Sequence, residues 1–317
     1  MNWTVKQLLH SIICGVILPA MLLSLLPEKE GNKGFLKQEK SMSDQQAEQR
    51  QIWVVKEDGK QKMDLEEYIV HVILGEVSSG FHEEALKAQA VAARTYTLYC
   101  IERNGKHGIG GVCTDYRCCQ AYRTPEDYLS AGGKQSGVDK VRRAVSQTAG
   151  EVLYYNSELI CATYFASSGG LTEDAEEVWG SDYPYLKPVL SPGEEECGYF
   201  SKQVVYAGEE LQQRLGVKLQ GKPQTWFGII TYTTGGGVDL MRIGGKLYTG
   251  VELRSLLGLR STIMTVTTTD DSVIIDTKGY GHRVGMSQHG ANAMAESGSD
   301  YREILGHYYT DTTVGFL

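Results

Sequence analysis

The chain has 317 residues, with 31 Lys and Arg against 39 Asp and Glu, which gives a formal net charge of −8 at pH 7. This acidic balance argues against a general nucleic-acid-binding protein, because such proteins present a basic face to the phosphate backbone. The length allows one large domain or two small ones, and 41% hydrophobic residues is an ordinary proportion for a chain with a substantial core.

An apolar segment over residues 8–26, LLHSIICGVILPAMLLSLL, is the first predicted element. It contains no Lys, Arg, Asp or Glu, and its length can just span a bilayer. Lys6 precedes it and no small-x-small cleavage site clearly follows, so the pattern favours an uncleaved signal anchor over residues 1–27 rather than a cleaved signal peptide. We therefore expect a single-pass cell-membrane protein with its remaining chain outside the cytoplasm.

Residues 28–50 are polar and nearly free of large apolar side chains, which predicts a flexible tether. In the stretch that follows, IWVV and QKMDL flank Asp58 and Gly59, a pair typical of tight hairpin turns. The sequence therefore predicts a two-stranded ribbon after the tether.

Residues 64–104 predict a short helix, a turn and a long helix. Asp64 and Glu67 have the spacing of a capping box, and Gly75 is expected to end the first helix, so that Glu76 lies in the turn. The long helix carries a narrow stripe of small residues that allows close packing.

Lys87 and Arg94 lie two turns apart on the long helix and project in nearly one direction. A carboxyl such as that of Glu76, held against an apolar helix near fixed cations, can be partly desolvated and act as an acid or base. The alternative is a solvated turn glutamate with no chemical role.

Four potential metal ligands fall close together after the long helix: His107, Cys113, Cys118 and Cys119. Zinc prefers imidazole and thiolate ligands, so this loop predicts a zinc site, in which zinc would be structural. The alternative is a disulfide from Cys113 to Cys118 or Cys119, which an extracytoplasmic compartment permits. A second disulfide, between Cys161 and Cys197, is also possible.

A helix over residues 139–147 and a hairpin with its turn at Asn156 and Ser157 are predicted next. The loop that follows is rich in hydroxyl groups and glycine, a composition suited to binding sugar hydroxyls. Trp179 and Tyr185 are candidates for stacking on a sugar, although core packing is the favoured interpretation for Trp179. The cluster formed by Glu173, Asp174, Glu176 and Glu177 is interpreted as a solvated, capped turn.

The last third combines a β-rich section near residues 198–275 with two further helices. One helix is predicted to begin near Ser287, with Gln288 and His289 at its N-terminus, and the other at a capping box of Asp300 and Glu303. Because helices and strands are mixed along the chain, the sequence predicts an α+β fold.

Five collinear motifs resemble the stage II sporulation protein D family. They are LGEV with EALKAQAVAARTY, CQAY, TYFASSGGLTEDAEEVWG, GVELRSLLGLRST and GYGHRVGMSQHGANAMA, from about Asp64 to the end of the chain. The resemblance implies a catalytic domain over residues 51–317 that acts as a lytic transglycosylase, which cleaves peptidoglycan glycan strands between N-acetylmuramic acid and N-acetylglucosamine and leaves 1,6-anhydro ends. It also implies Glu76 as the catalytic residue and zinc bound by His107, Cys113 and Cys119, with Cys118 as the alternative ligand. The candidate substrate-binding residues are Lys87, Arg94, Tyr164, Ser167, Ser168, Tyr185, Gln288 and His289.

The resemblance further implies a role in spore engulfment. The protein would face the space between the mother-cell and forespore membranes, act on glycan stripped of stem peptides, and assemble with stage II sporulation proteins P and M. The alternative is a catalytically inactive peptidoglycan-binding scaffold of the engulfment complex. A zinc-dependent amidase or peptidase is disfavoured, because the sequence has no HExxH motif.

Overall fold

The computed structural model describes residues 50–57, 59–103, 107 and 111–317, all within one compact unit. The predicted anchor, and the predicted tether apart from Arg50, lie outside the described residues. In the part of the chain that is described, no helix combines the length and apolar character needed to cross a membrane. Helices and several small sheets alternate along the chain, so the predicted α+β class is confirmed.

The described helices are numbered in chain order. They are α1 Leu65–Glu76, α2 Glu83–Glu102, α3 Pro125–Ser130, α4 Gln135–Gln147, α5 Ala175–Trp179, α6 Gly208–Leu215, α7 Gly250–Leu257, α8 Gln288–Glu296 and α9 Tyr301–Tyr308. The strands are β1 Gln51–Lys56, β2 Gly59–Asp64, β3 Gly111–Cys113, β4 Glu151–Tyr155, β5 Glu158–Leu159, β6 Tyr164–Phe165, β7 Ser201–Ala207, β8 Phe227–Tyr232, β9 Val238–Ile243, β10 Lys246–Thr249, β11 Ile263–Thr268, β12 Ser272–Lys278, β13 Met286–Ser287 and β14 Thr313–Phe316.

The predicted pair of helices is present as α1 and α2. Asp64 caps α1 by accepting hydrogen bonds from the N–H groups of Glu66 and Glu67, at 2.9 and 3.2 Å. The Glu67 carboxylate binds Arg142 instead of returning to the cap, so the predicted capping box is only half formed. The helix continues through Gly75 and ends at Glu76, so the predicted placement of Glu76 in the turn is wrong by one residue.

Helix α2 lies between two hydrophobic cores. On one face, Leu86, Ala90 and Ala93 pack with α1 and α4. On the other, Ala88 and Ala92 pack with α8, α9 and the β4–β6 region. Small side chains on both faces let neighbouring elements approach closely, which explains the stripe seen in the sequence.

The sheets around these helices are short. β1 pairs antiparallel with β2, which confirms the predicted ribbon, and β3 extends the ribbon by pairing parallel to β1. β4 and β5 form the predicted hairpin, with Asn156 and Ser157 at φ values of 49° and 66° in its turn. β14 pairs with the other edge of β4.

Residues 201–278 form two antiparallel three-stranded sheets, ordered β11-β12-β7 and β10-β9-β8. With α6 and α7 they enclose their own core, which includes Leu211, Tyr248, Leu253 and Val273. This lobe supplies Arg254 and the residues that follow β12 to the cleft described below.

A parallel ladder between β6 and β13 brings two distant parts of the chain together. Tyr164 pairs with Met286, and Phe165 pairs with Ser287. Gly285 makes this possible: its φ is +84°, and a Cβ at this position would lie 2.1 Å from the carbonyl oxygen of Thr163. The ladder therefore places the start of α8 beside Tyr164.

Candidate active site

A cleft of about 890 Å³ lies where the C-terminal end of α1, the segment of residues 116–123, the start of β6 and the start of α8 meet. Its volume is in the range of ligand-binding pockets. Among the described residues that line it, Glu76 is the only carboxyl group.

Two neutral donors hold the Glu76 carboxyl. Oε1 accepts a hydrogen bond from the main-chain N–H of Ala121 at 2.7 Å, and Oε2 accepts one from Nε2 of Gln288 at 3.3 Å. Burial raises the pKa of Glu76, and these two hydrogen bonds only partly oppose it. Glu76 therefore keeps its proton to a higher pH than an exposed glutamate does, which suits a general acid.

Gly75 allows the Ala121 N–H to reach Glu76. A Cβ on Gly75 would lie 2.7 Å from the nitrogen of Tyr122 and 2.9 Å from the carbonyl carbon of Ala121. The segment carrying Ala121 therefore crosses the last turn of α1 at a distance that only glycine permits.

Tyr164 lies on the same wall of the cleft. Its hydroxyl donates to Oε1 of Gln120 at 2.6 Å, and Nε2 of Gln120 donates to the hydroxyl of Thr97 at 2.8 Å. Burial, and then the nearby charge of Glu76, raise the pKa of Tyr164 well above its usual range. The hydroxyl therefore stays protonated and orients Gln120, the residue before Ala121.

Gln288 and His289 begin α8, which Ser287 caps by accepting from the N–H of Gly290 at 3.2 Å. The ring of His289 packs between those of Phe81 and Tyr199, at centroid distances of 5.1 and 5.4 Å. Burial lowers the pKa of His289, so the ring is neutral at pH 7.

The structure does not bring Lys87 or Arg94 to the cleft. Arg94 is fully buried and forms an ion pair with Glu66, with Nε and Nη2 at 2.8 and 2.5 Å from its carboxylate oxygens. Lys87 pairs with Glu84 on the same helix at 2.6 Å. The prediction that these cations position Glu76 or contact substrate is therefore corrected: both stabilise the packing of α2.

Ser167, Ser168 and Tyr185 are also turned away from the cleft. Ser167 and Ser168 are fully buried, and their hydroxyls donate to Glu194 at 2.5 and 2.9 Å. The Tyr185 hydroxyl accepts the N–H of Cys161 in the core. Their predicted sugar contacts are corrected to structural roles, with Glu194 as the buried anion that organises the serine loop.

The acidic cluster separates into buried and exposed parts. Glu173, expected in a solvated turn, is 1% exposed and forms an ion pair with the fully buried Arg283 at 3.2 Å. Asp174 caps α5, as expected of a capped turn, and Glu176 is exposed. Glu173 therefore stabilises the loop before α8 and does not face Glu76.

The potential ligand atoms of His107, Cys113, Cys118 and Cys119 all lie within 4.8 Å of one another. Cys113 ends β3, and a turn in which the N–H groups of Cys118 and Cys119 donate to the Asp115 carbonyl folds the other thiols back towards it. One imidazole and three thiols in this arrangement match the donor set and spacing of tetrahedral zinc. The structure thus groups Cys118 and Cys119 together instead of choosing between them.

Cys161 and Cys197 are not joined by a disulfide. Cys161 is buried in the core beside α2, and the thiol of Cys197 donates to the hydroxyl of Ser167 at 3.8 Å. The disulfide that the sequence left open is therefore not formed in the structure.

Several cleft residues were absent from the predicted site. Gln120 lies in CQAY, where an amide next to two cysteines gives no separate signal. Arg254 comes from the β-rich section near residues 198–275, which was expected to act as scaffold, and Tyr280 belongs to the motif that follows β12. Burial, and then the charge of Arg254, lower the pKa of His282 to about 4, so this ring is neutral.

Trp179 is 41% exposed in the cleft, which favours the stacking role over core packing.

The fold and the cleft define a class: an α+β protein in which one desolvated carboxyl lies between neutral donors in an aromatic-lined groove. Comparison with known proteins identifies the family. The family model described as Stage II sporulation protein (SpoIID) matches residues 56–155. Stage II sporulation protein D of Bacillus subtilis strain 168 is 37% identical over 255 residues, which cover 79% of this chain and 74% of the relative. The chain therefore belongs to the stage II sporulation protein D family, a family of sporulation proteins, and the resemblance is confirmed.

Two further relatives show how far the similarity extends. Stage II sporulation protein D of Bacillus amyloliquefaciens is 38% identical over 249 residues, covering 77% of this chain and 72% of the relative. The protein named amidase enhancer of Bacillus subtilis strain 168 is 29% identical over 301 residues, covering 77% of this chain but 39% of the relative. The shared region therefore also occurs within a longer protein.

Proposed function

We propose that this protein is a lytic transglycosylase that cleaves the bond between N-acetylmuramic acid and N-acetylglucosamine in peptidoglycan glycan strands. The observation that carries the proposal is the isolation of Glu76. Glycosidases that hydrolyse this kind of bond generally use two carboxyl groups, about 5 to 9.5 Å apart. In the cleft, as far as the chain is described, Glu76 has no carboxyl partner.

A single carboxyl suffices when the sugar supplies its own nucleophile. Protonated Glu76 donates its proton to the glycosidic oxygen, and the bond from that oxygen to C1 of the muramic acid breaks, with its electron pair passing to the oxygen. The Glu76 carboxylate then accepts the proton of the C6 hydroxyl as the C6 oxygen bonds to C1. The product is a 1,6-anhydro sugar, and Glu76 is protonated again.

The surroundings of Glu76 support both steps. Desolvation favours the protonated form of Glu76 before it gives its proton to the glycosidic oxygen. After that transfer, the Ala121 N–H and the Gln288 amide stabilise the Glu76 carboxylate. Neither donor carries a charge, so neither removes the basicity that the second transfer needs.

We also propose that His107, Cys113, Cys118 and Cys119 hold a structural zinc ion. Bound zinc would supply cross-linking of the thiolates and imidazole. The chain continues directly from Cys119 to Gln120 and Ala121, which contact Tyr164 and Glu76. A fixed position for Cys119 would therefore also fix the donors of the active site.

The cellular setting is proposed from the family. We place the protein in the cell membrane through residues 1–27, with residues 51–317 in the space between forespore and mother cell during engulfment. Its partners there would be glycan stripped of stem peptides and stage II sporulation proteins P and M.

The test is mass spectrometry of glycan products. The full-length chain is incubated with peptide-free glycan strands, beside Glu76→Gln and the exposed control Glu296→Gln. We expect 1,6-anhydro ends from the unchanged chain and from Glu296→Gln, and intact strands from Glu76→Gln. Reducing ends would instead indicate a hydrolase.

Intact strands bound by a folded, unchanged chain would favour the alternative, an inactive peptidoglycan-binding scaffold. The relative named amidase enhancer bears a name that denotes stimulation of another enzyme, which keeps this alternative in the test.

A further inference from the structure

Arg254 differs from the two fully buried arginines of the described chain. Arg94 and Arg283 are both fully buried, and each has a carboxylate partner, Glu66 at 2.5 Å and Glu173 at 3.2 Å. Arg254 is half-buried in α7, and its guanidinium forms one hydrogen bond, from Nε to the carbonyl oxygen of Arg260 at 3.2 Å. Within the described part of the chain, no carboxylate lies within 4.0 Å of it, and its two Nη groups have no acceptor.

The two Nη groups of Arg254 are not among the buried polar atoms that lack a partner, so they are open to the cleft. A partly desolvated guanidinium without an anionic partner is less favourable than a fully hydrated one. Burial lowers the pKa of Arg254, and no anion of the described chain compensates for it. An anionic ligand can compensate the charge of such a guanidinium. A carboxylate is well suited to this role, because a guanidinium binds it through two parallel hydrogen bonds.

The position of Arg254 identifies where that ligand lies. Arg254 lines the same cleft as Glu76, next to Tyr280 and His282. Tyr280 stacks against Tyr199 at a centroid distance of 5.5 Å, and the two rings are 40% and 43% exposed. The guanidinium of Arg260 lies over both rings, at 5.5 Å from Tyr280 and 5.6 Å from Tyr199. The aromatic surface that stays exposed beside Arg254 suits a sugar ring that carries an anionic substituent.

The other cations of the cleft do not offer this combination. Arg117 is exposed and already bound by Asp115, at 3.0 and 3.1 Å. Arg123 is exposed to solvent. Screening by water and salt weakens the attraction of such exposed cations for a ligand anion.

We propose that Arg254 binds the free lactyl carboxylate of N-acetylmuramic acid, and that this contact is the origin of the selectivity for glycan without stem peptides that the family resemblance implies. The inference rests on the proposed function. The lactyl group carries the carboxylate of the glycan backbone, and a stem peptide converts it into a neutral amide. The amide removes both the charge and one of the two acceptor oxygens that a guanidinium recognises. Arg254 is thus a substrate-binding cation of the cleft, a general role that the sequence analysis had expected of Lys87 and Arg94.

Binding is measured first, in the full-length Glu76→Gln chain, so that cleavage does not intervene. Two ligands are compared by calorimetry: short peptide-free glycan strands with free lactyl carboxylates, and the same strands with these groups converted to methylamides. We expect the carboxylate form to bind about 10- to 100-fold more tightly, the usual range for a buried hydrogen bond to a charged group. Equal affinities for the two ligands, or no binding of the carboxylate strands, would overturn the proposal. This comparison needs no variant of Arg254.

Variants then assign the preference to the side chain. Arg254→Gln in the same background should lower affinity for carboxylate strands to that for methylamide strands and leave the latter unchanged. Arg254→Lys should retain part of the preference, because it keeps the charge but loses the two-pronged geometry. Arg242→Gln, an exposed arginine of the same lobe, is the matched control and should keep the full preference. Equal weakening of both ligands by Arg254→Gln would instead indicate a structural role.

Cleavage by the chain with Glu76 intact separates the two proposals. Selective binding without anhydro products would retain the role of Arg254 and reject the proposed reaction. Anhydro products formed equally from both strands would retain the reaction and reject the role of Arg254.

Discussion

The main-chain N–H of Ala121 donates to Oε1 of Glu76 across 2.7 Å, although the two residues are separated by 45 positions in the chain. This bond joins the end of α1 to the segment that carries Cys118 and Cys119. It makes the geometry of the candidate catalytic carboxyl depend on how closely that segment crosses α1.

Gly75→Ala should disrupt this bond. Alanine is the better helix former by about 1 kcal/mol, but its Cβ would meet the main chain of residues 121 and 122 at less than 3.0 Å. We expect loss of most transglycosylase activity, by at least about tenfold, and destabilisation of about 1 to 3 kcal/mol from overpacking. Gly80→Ala is the control, since a Cβ there meets only the flexible hydroxyl of Ser78, at 3.2 Å. Equal activity of the two folded variants would contradict the importance of the close crossing.

Gln288→Met should move the pH profile. The amide of Gln288 stabilises the ionised form of Glu76 and so lowers its pKa against the dominant effect of burial. Removing this donor raises the pKa of Glu76 further. Because the proposed acid must be protonated, kcat/KM falls as pH rises through this pKa, and in Gln288→Met the fall should begin at higher pH.

The measurement is kcat/KM against pH for the unchanged chain and for Gln288→Met. The control is Gln213→Met, an exposed position on α6 with the same change of side chain. A shift of the descending limb to lower pH would show that Gln288 does not act on the Glu76 carboxylate.

Removal of zinc should destabilise the protein. If zinc binds the four-ligand cluster, a free concentration 1,000 times Kd stabilises the fold by about 4 kcal/mol, which a chelator removes. We expect one zinc per chain by elemental analysis and a lower Tm after chelation. Cys118→Ser should weaken zinc binding, whereas Cys161→Ser, in the apolar core beside α2, should leave the zinc content unchanged. A mass two hydrogens lower in an unreduced, zinc-free sample would instead indicate a disulfide.

Glu173→Ala should be strongly destabilising, because it leaves the fully buried Arg283 without its carboxylate partner. Breaking a buried ion pair on one side typically costs about 3 to 5 kcal/mol. Glu176→Ala, an exposed change three residues away, should alter the free energy of unfolding by less than about 0.5 kcal/mol. Denaturant unfolding of both variants measures the difference. If both variants changed the free energy of unfolding by similarly small amounts, Glu173 would instead be solvated, as expected from the sequence.

The sequence by itself determined the features that depend on local chemistry. The capping box of Asp300 and Glu303, the start of α8 near Ser287, the hairpin turn at Asn156 and Ser157, and the small-residue stripe of α2 form as predicted. Asp64 caps α1, although the predicted box with Glu67 is only half formed. Each depends on residues within a few positions of one another, so spacing and propensity suffice to predict it. The five collinear motifs likewise sufficed to identify the family.

Only the tertiary structure decided which polar residues meet. Glu84 lies three residues before Lys87 on α2, so helical spacing is compatible with their pair, but it does not reveal that Arg94 binds Glu66 of α1. Glu173 and Arg283 lie 110 positions apart, and Glu76 and Gln288 lie 212 apart. These pairs form where the β6–β13 ladder and the crossing at Gly75 bring distant segments together. The lack of a carboxylate partner for Arg254 among the described residues is the same kind of fact, because it depends on where charged groups from distant parts of the sequence lie in the fold.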